Sequence, residues 1–495
     1  MVASPLTYAQ IHTFGGGATD GSTPQHGTPL LLGGILYGMT YNGGPSGAGT
    51  VFKVNPDGTG FSLVHSFTGA SVADGAAGFG SLVAAGTTLY GVTAQGGASS
   101  VGALFKVGTD GNGFALVHSF AGGAADGSTP KATPLLAGTT LYGTTSGGGP
   151  GGSGTVYKVG TDGNGFTLLH SFAGGATDGS LAFRSLILSG TTLYGMTLTG
   201  GASGGGTLFK VGTDGLGFAL LHSFAGGATD GKVPRGELTL SGGVLYGSTF
   251  NGGTSDLGTV FKINADGSGF ALLHSFTGGA TDGKSPFTTP TLVGSTLYGT
   301  TTAGGTSDNG TVFQVGTDGL GFALVRSFAG GTTDGAAPDG ALVPSGSTFF
   351  GLTTAAGGAA NAGTVFKLTI ACGANEHVVA NVCVACAAGT ARAAGDDPAG
   401  ADTTCAAPIA DAGAPDADAS VPTPDASVPA ADASAPAPDG GATAVPGGTS
   451  SSDGGGCSIS RPTSRSRRVS SGGLAAFAAL AIAFLRRRRR AARAS

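Results

Sequence analysis

The sequence predicts an all-β fold, a seven-bladed β-propeller, and three observations lead to this prediction. A unit of about 52 residues recurs, each unit holds four short apolar runs, and the first and last units are incomplete in complementary ways. A fixed period of this size indicates supersecondary units that bury their apolar faces only against neighbouring units. The clearest marker is Leu-Tyr-Gly, with its aromatic residue at Tyr37, Tyr90, Tyr142, Tyr194, Tyr246, Tyr298 and, as Phe-Phe-Gly, Phe350.

The four runs of a unit have the length and composition of β-strands. In the third unit they cover residues 134–137, 140–145, 155–159 and 166–172, and they are rich in Leu, Val, Tyr, Phe and Thr. Runs this short are typical of strands rather than helices. Asp162-Gly163 predicts a hairpin turn between the third and fourth runs, because Gly adopts positive φ at little cost. Each unit is therefore predicted to be a four-stranded antiparallel meander.

The two ends of the repeat region favour a propeller over a linear β-solenoid. Residues 11–14 match the fourth run, whereas the last unit stops after its third run at residues 364–368. The N-terminal segment can supply the strand that the last unit lacks, and such closure leaves only short strand edges. We expect residues 1–371 to form a closed ring in which the fourth run is the outer strand of each blade.

The composition restricts the partners. The chain has 99 glycines in 495 residues, and only 10% of its residues are charged. The last 35 residues hold ten arginines and no acid, whereas the preceding part has 13 Lys and Arg against 28 Asp and Glu, a net charge of −15. Because nucleic-acid binding needs a basic face, we predict no nucleic-acid partner.

Three segments follow the predicted ring. Residues 372–405 form a cysteine-rich module, residues 406–456 an Ala, Pro, Asp and Ser-rich linker, and residues 457–495 a tail. The linker has too few large apolar residues to offset the entropy of ordering, so we expect it to be disordered.

The tail combines an apolar span at residues 472–485 with five arginines at residues 486–490. The span is predicted to be a short apolar transmembrane helix, although it has fewer than the roughly 20 residues that cross a bilayer comfortably. The arginines then indicate the cytoplasmic side. A membrane-held sorting tail is favoured over a buried helix with a solvated charge run. No signal peptide is visible in residues 1–10, and we expect that the start of the chain is truncated or misassigned.

Four cysteines, Cys372, Cys383, Cys386 and Cys405, are predicted to form two disulfides, as is usual in an exported chain. Zinc is the alternative, but the second Cys pair of a zinc knuckle is missing. Three connectivities are open, among which we favour Cys372–Cys383 with Cys386–Cys405. Cys457 remains unpaired and is predicted to be the sorting or lipid-attachment site.

The histidines and aspartates of the repeat form ladders along the chain. The histidines could bind metal in a channel, but packing or hydrogen bonding throughout the repeat is favoured, since Arg326 replaces one member with no other visible change. The histidine ladder is His12, His65, His118, His170, His222 and His274. One aspartate ladder lies in the hairpin turns, at Asp57, Asp110, Asp162, Asp214, Asp266 and Asp318. The other lies in the blade crossings, at Asp20, Asp74, Asp126, Asp178, Asp230, Asp282 and Asp334.

Each aspartate loop offers a single carboxylate, whereas calcium needs several oxygens from a short loop. We therefore expect Asx-turn capping and no cofactor, with calcium as the alternative. No catalytic or metal-binding residues are predicted, because the histidines are assigned to the repeat and no Ser-His-Asp set is visible. Four carboxylates break the repeat, at Glu237, Asp256, Asp308 and Asp339. Clustering of these with a repeat-breaking arginine would favour an enzyme; the three arginines are Arg184, Arg235 and Arg326.

Two families are similar to parts of this chain. The motifs LYG-x-T, GG, GTVFK, DG-x-GF and LHSF over residues 11–369 resemble the GloVer-type tandem repeat of bacterial surface and secreted proteins with variable anchors. That family has no agreed activity. The tail resembles a MYXO-CTERM sorting signal in its Gly-Gly-Cys457-Ser motif, apolar span and arginines. This resemblance implies cleavage near Cys457 by a sorting protease and retention at the outer membrane.

The function predicted from the sequence is a non-enzymatic binding or scaffold role at the cell surface. The loop after the second strand varies most between units, and variation on one face of a regular ring is typical of ligand choice. The ligand is a glycan or a protein, and the chain is expected to be monomeric. The alternatives are an extracellular polysaccharide lyase or hydrolase, and a structural adhesin or spacer of the cell envelope.

Overall fold

The computed structural model describes residues 6–69, 74–370, 376–379, 382–385 and 404. Residues 6–370 form seven antiparallel sheets, each made of an inner, a second, a third and an outer strand. This arrangement confirms the predicted seven-bladed propeller.

The second and third strands are the regular part of each blade. The second strands are Ile35–Thr40, Thr88–Gly96, Thr140–Gly148, Thr192–Gly200, Val244–Thr249, Thr296–Gly304 and Thr348–Thr353. The third strands are Thr50–Val54, Ala103–Gly108, Thr155–Gly160, Thr207–Gly212, Thr259–Asn264, Thr311–Gly316 and Thr364–Ile370. The outer strands are Ser62–Ser66, Ala115–Ser119, Thr167–Ser171, Ala219–Ser223, Ala271–Ser275, Ala323–Ser327 and Leu6–Thr13.

The inner strand is longer than the apolar run predicted it to be. In the second blade it is continuous over Gly75–Ala85, and in the other blades it is split in two. The first pieces are Gly21–Ser22, Gly127–Pro130, Gly179–Ala182, Gly231–Lys232, Gly283–Pro286 and Gly335–Ala336. The second pieces are Leu30–Leu32, Leu135–Ala137, Ile187–Ser189, Thr239–Ser241, Thr291–Val293 and Val343–Ser345. Short extensions of three second strands pair with first pieces, at Asn42–Gly43, Asn251–Gly252 and Ala355–Ala356.

The first pieces lie before the apolar runs of the sequence, as Gly127–Pro130 lies before residues 134–137. They are strands because they pair with the end of the second strand, as Gly127 does with Gly148. A residue at positive φ, such as Thr129 at 55°, lies two residues after the first glycine of each piece. Its amide donates to the preceding blade, in this example to Val101 O at 2.6 Å. The inner strand is therefore held by two blades, and its middle part lies at the axis.

The ring closes as predicted. Strand Leu6–Thr13 pairs antiparallel with Thr364–Ile370, with Tyr8 opposite Leu368 and His12 opposite Val365. The amide of Thr23 donates to Ala362 O at 2.7 Å, which repeats at the seam the contact made between other blades. The seventh blade therefore contains both ends of the repeat region.

Apolar side chains fill the spaces between blades. Seven buried clusters each combine side chains of two adjacent blades, and one of them joins the last blade to the first. The glycine of Leu-Tyr-Gly is required by this packing. A Cβ on Gly195 would lie 2.6 Å from Phe209 and 2.7 Å from Leu186, which is too close for any side chain. The motif thus marks the place where a phenylalanine crosses the second strand.

The segment after residue 370 is described only in part. Strands Glu376–Val379 and Val382–Ala385 pair with each other. Cys383, a predicted disulfide residue, lies in the second of these strands, and the structure describes only its backbone. The predicted disulfide residues Cys372, Cys386 and Cys405, the sorting residue Cys457 and the apolar span 472–485 lie outside the described residues. Within the part of the chain that the structure describes, no helix has the length and apolarity needed to cross a membrane.

Candidate functional site

The loops between second and third strands, which were expected to select the ligand, share one compact turn. In the third blade Gly152 N donates to Gly149 O at 3.0 Å, and Gly204 N makes the same bond to Gly201 O in the fourth. Asp256 and Asp308 cap their own loops, since their Oδ1 atoms accept from Gly252 N at 2.7 Å and Gly304 N at 2.8 Å. These loops are built mostly from glycine and other small residues, so they present little chemistry to a ligand.

The non-repeated side chains lie instead at the axis of the propeller. One position in the middle of each inner strand carries a different kind of residue from blade to blade. We call this set the axial ring: His26, Phe79, Lys131, Phe183, Arg235, Phe287 and Asp339. Contacts between blades that are not adjacent show that the ring faces inward. The His26 ring centroid lies 4.4 Å from that of Phe287 and 6.0 Å from that of Phe183.

Cations and aromatic rings alternate around this axis. Lys131 Nζ lies 5.1 Å from the Phe183 centroid, and the Arg184 guanidinium lies 5.0 Å from the same centroid. Arg184 also lies 4.7 Å from the Phe287 centroid, and Arg235 lies 4.9 Å from it. Cation–π contacts of this kind offset only part of the free energy that a cation loses when its hydration water is removed.

Arg184 is the most deeply buried of these cations, with 4% of its surface exposed. Its Nε and Nη2 have no hydrogen-bond partner among the described residues. Burial lowers the pKa of Arg184 to about 10, although the charges of Glu237 and Asp339 act in the opposite direction. The arginine therefore remains a cation at neutral pH and retains unused donors.

Lys131 and Arg235 are partly exposed cations without a carboxylate of their own. Neither forms an ion pair or a hydrogen bond with any residue that the structure describes. Burial lowers the pKa of Lys131, with a further contribution from the charge of Arg184, and burial alone lowers the pKa of Arg235. Both shifts mean that the fold holds these positive charges at a cost.

His26 is held in a strained position by Asp339. Its φ is 54°, in the left-handed region that non-glycine residues rarely adopt. Its backbone N donates to Asp339 Oδ1 at 3.1 Å, and its Nδ1 lies 2.9 Å from Asp339 Oδ2. Burial lowers the pKa of His26, while the charge and hydrogen bond of Asp339 act in the opposite direction. The expectation that every histidine belongs to the repeat is wrong for this residue, which lies next to an inserted Gln25.

A second ring lies two residues further along the inner strands, and we call it the hydroxyl ring. It consists of Thr28, Ser81, Thr133, Ser185, Glu237, Thr289 and Ala341. Backbone amides donate to hydroxyls of the next blade, as Ser81 N does to Thr133 Oγ1 at 2.9 Å. Glu237 accepts hydrogen bonds from the hydroxyls of Ser185 and Thr289. The Glu237 carboxylate is therefore committed to joining blades.

The space between the two rings is small. A cavity of about 10 Å³ is lined by His26, Arg184, Glu237, Phe287 and Asp339, among others. This volume corresponds to about one water molecule. The space between the two rings is therefore too small for a sugar. On the side of the second-to-third loops, Phe250 lies against Arg235 at 4.5 Å and Tyr41 against Phe79 at 6.4 Å. We call this side the loop face, and the partly exposed surface formed there by Tyr41, Phe183, Arg235 and Phe250 the axial mouth.

The histidine ladder lies at the outer edge, away from this site. The Nε2 atom of each of these histidines contacts the blade-crossing aspartate. His170 Nε2, for example, lies 3.2 Å from Asp178 Oδ1. Each ring also stacks on a phenylalanine of the next blade, as His170 does on Phe218 at 3.6 Å. This geometry agrees with a role in packing and hydrogen bonding, as the sequence predicted.

Arg326 takes the histidine's place in the sixth blade, but not without other change. Its Nη2 donates to Asp334 at 2.8 Å and its guanidinium lies 3.6 Å from the ring of Tyr8. Tyr8 occupies the position held by phenylalanine in the other blades. The expectation of an isolated substitution is therefore wrong: the cation and its aromatic partner differ together at the seam.

The turn aspartates act as Asx caps. Asp162 Oδ1 accepts from Asn164 N at 2.9 Å, and Asp266 Oδ1 accepts from Ser268 N at 2.8 Å. Among the described residues, no group of three or more His, Cys, Asp or Glu side chains is arranged to hold a metal ion. The carboxylates of both ladders are engaged by backbone amides.

The structure divides the repeat-breaking residues into two groups. Glu237 and Asp339 converge with Arg184 and Arg235 at the axis. Asp256 and Asp308 lie in separate loops, and Arg326 lies at the rim. The repeat-breaking carboxylates alone did not indicate a site at the axis. Comparing all seven units at one position of the inner strand would have found the axial ring, since that position holds histidine, phenylalanine, lysine, arginine or aspartate.

Comparison with known proteins gives a family match. A family model described as the Gloeobacter/Verrucomicrobia repeat matches residues 2–139 and 123–313. No curated protein is similar in sequence to the chain.

Several solved structures are similar at low sequence identity. One is an oligogalacturonate lyase in complex with manganese, with 11% identity, 75% of this chain and 98% of that chain covered, and a TM-score of 0.44. A prolyl endopeptidase shows 14% identity over 73% of this chain and 51% of that chain, also with a TM-score of 0.44. TolB from Acinetobacter baumannii shows 15% identity, covers 60% and 64%, and has a TM-score of 0.36. At these identities, none of the likenesses carries an activity over to this chain.

Proposed function

Since this chain belongs to the Gloeobacter/Verrucomicrobia repeat family, we propose that its propeller is a rigid, non-enzymatic scaffold that binds a glycan at the axial mouth. The observation that carries this proposal is the axial ring, an inner-strand position that holds histidine, phenylalanine, lysine, arginine or aspartate depending on the blade. Inter-blade cores and rim contacts recur with few exceptions from blade to blade, whereas the side chains of the axial ring do not.

The form of the mouth supports a glycan. Tyr41, Phe183 and Phe250 are partly exposed there, and flat aromatic faces pack well against the apolar faces of sugar rings. Arg184 lies beside Phe183 and Arg235 beside Phe250, and both have buried nitrogens without a hydrogen-bond partner among the described residues. A few convergent polar groups beside apolar surface are typical of a binding site. The inner strands that carry these residues are also held in place, because each is anchored on two blades.

An enzyme remains the second candidate, because Glu237 and Asp339 do converge with two arginines. Their arrangement favours binding over catalysis. Glu237 accepts bonds from two hydroxyls, Asp339 holds the His26 backbone and ring, and the cavity between them admits about one water molecule. A polysaccharide lyase or hydrolase needs its acid and base to reach a sugar. Release of reducing ends or unsaturated sugars by the wild-type chain, abolished in Glu237→Gln, would establish the enzyme instead.

A glycan array probed with the full-length chain tests the binding proposal. We expect binding that falls at least about tenfold in Phe183→Ala and Phe250→Ala, which remove aromatic surface from the axial mouth. Asp256→Ala is the matched control, since it alters an exposed loop on the same face. Absence of any glycan ligand, or equal loss in the loop variant, would contradict the proposal.

We also propose display at the cell surface through the tail, on the strength of the Cys457 motif, apolar span and arginines. A sorting protease and the outer membrane are then partners of the tail. Protease digestion of the propeller on intact cells should be complete for the wild-type chain and absent for a chain lacking residues 457–495. Equal digestion of both would argue against tail-dependent display.

A further inference from the structure

We infer that the glycan bound at the axial mouth is acidic, and that the carboxylate of one sugar lies between Lys131 and Arg235. This inference rests on the proposed function and names its ligand class. Three observations lead to it: the balance of charge at the axis, the unused donors of a buried arginine, and the position of the aromatic rings.

Positive charge exceeds negative charge at the axis. Three cations, Lys131, Arg184 and Arg235, lie near only two carboxylates, Glu237 and Asp339. Both carboxylates act on Arg184, and Asp339 also engages His26. Lys131 and Arg235 therefore keep charges that no described residue balances. Partly buried cations of this kind are disfavoured unless an anion completes the site.

The charges at the axis contrast with the rest of the propeller. Residues 6–370 hold 12 Lys and Arg against 17 Asp and Glu, a net charge of −5. Only three of these basic residues are arginines, and two of the three lie at the axis. A small positive region within an acidic body attracts a local anion and repels a long polyanion on the surrounding surface. This pattern favours an acidic sugar unit over nucleic acid.

The unused donors identify where the anion would be stabilised. Arg184 is buried yet has Nε and Nη2 without partners among the described residues, and Arg235 Nε is likewise unpartnered. Guanidinium groups bind carboxylate and sulfate oxygens through paired N–H donors. Arg184 and Arg235 both lie within 5 Å of the Phe287 centroid, which brings their donors to one side of the axis.

The aromatic rings indicate that the anion is carried on a ring rather than free. Lys131 lies beside Phe183, and Arg235 lies between Phe250 and Phe287. A sugar ring that stacks on Phe183 or Phe250 places a substituent toward the neighbouring cation. A free inorganic anion would make no use of these aromatic surfaces.

The test is isothermal titration of the full-length chain with three probes: a short oligouronate, the same oligosaccharide after carboxyl reduction, and inorganic sulfate. We expect the oligouronate to bind, and the carboxyl-reduced sugar and sulfate to bind at least about tenfold more weakly. Lys131→Met and Arg235→Met should each weaken oligouronate binding at least about tenfold. Lys232→Met is the matched control, because Lys232 is an exposed lysine on the loop face. Melting temperatures of the variants establish that they fold.

Each contrary result has a distinct meaning. Equal binding of the oligouronate and its reduced form overturns the acidic ligand and leaves the glycan-binding proposal standing. Binding of neither sugar overturns the acidic ligand, and the glycan array then decides the glycan-binding proposal. Sulfate binding as tight as that of the oligouronate overturns the sugar and identifies an anion site alone. Equal weakening by Lys232→Met places the anion away from the axis.

Discussion

At the scale of single residues, a repeat makes each exception measurable against six internal controls. Phe52, Phe105, Phe209, Phe261, Phe313 and Phe366 fill one core position, and the third blade has Tyr157 there. Tyr157 is fully buried, and its hydroxyl has no partner among the described residues. At the axis, by contrast, exceptions to the repeat gather in one place. An isolated departure from the repeat, such as Tyr157, therefore affects packing alone, whereas several departures at one place in the fold indicate a site.

We predict that Tyr157→Phe stabilises the propeller by about 1 kcal/mol, because it removes a buried hydroxyl without leaving a cavity. Urea denaturation of the two chains measures the difference. The reverse change Phe261→Tyr is the control and should destabilise the fold by a similar amount. A less stable Tyr157→Phe chain would mean that the hydroxyl has a partner, such as a bound water.

The roles of many single residues could be predicted from the sequence. The histidine, aspartate and glycine ladders could be predicted as structural, since a role shared by every unit serves the repeat. The axial ring was missed because Lys131 and the phenylalanines look unremarkable singly. Their meaning depends on contacts such as that between His26 and Phe287, which are 261 positions apart and meet only after the ring has closed.

At the scale of elements, a histidine, an aspartate and a phenylalanine join the outer strand to the next blade in six of the seven blades. Asp282 shows the pattern: it accepts from Thr277 N at 2.8 Å and Gly283 N at 2.7 Å, and it lies 3.2 Å from His274 Nε2. His274 in turn stacks on Phe322 of the following blade at 3.5 Å. The blade crossing is thus fixed by a carboxylate rather than by apolar packing. The sequence located the crossing strands poorly because these residues carry no apolar periodicity.

The crossing carboxylates should make the fold sensitive to acid. Burial raises the pKa of Asp282, but its hydrogen bonds to His274 and the backbone outweigh burial and hold the pKa below its usual value. The pKa of Asp74 is lowered in the same way. Because the folded pKa lies below the unfolded one, this stabilisation is complete above about pH 4 and is lost as pH falls through the folded value.

We therefore predict that the urea midpoint of the wild-type chain falls between about pH 4 and pH 2. Asp282→Asn should be less stable at pH 7 and should lose less on acidification. Asp256→Asn, which alters an exposed loop carboxylate, is the control and should follow the wild type. Identical acid profiles for all three chains would show that the crossing aspartates contribute no linkage.

At the scale of the whole molecule, closure of the ring could be predicted from the sequence, whereas the side chains that meet at its axis could not. Complementary incomplete units at residues 11–14 and 364–368 were sufficient to predict closure, and the strands there pair as expected. The seam is reinforced at the rim, where Arg326 contacts both Asp334 and Tyr8. Closure also creates the site, because Asp339 of the last blade holds His26 of the first.

Deletion of residues 1–13 should open the seventh blade. The change removes the buried Ile11 and the strand partner of Thr364–Ile370, so we expect a loss of roughly 3 kcal/mol or more in unfolding free energy. The exposed edge should also promote association between chains. Light scattering and urea denaturation measure both effects, and deletion of residues 1–5 is the control. A monomeric deletion variant with an unchanged midpoint would contradict this account of the seam.

The seventh blade has a consequence for biosynthesis. Its outer strand is made first and its neighbour, Thr364–Ile370, is made last among the strands of the propeller. On the ribosome, blades can stack only as an open arc until that final stretch emerges. A chain interrupted early would keep an unpaired strand and could not bring His26 and Asp339 together. Binding at the axis would therefore report that translation of the propeller had been completed.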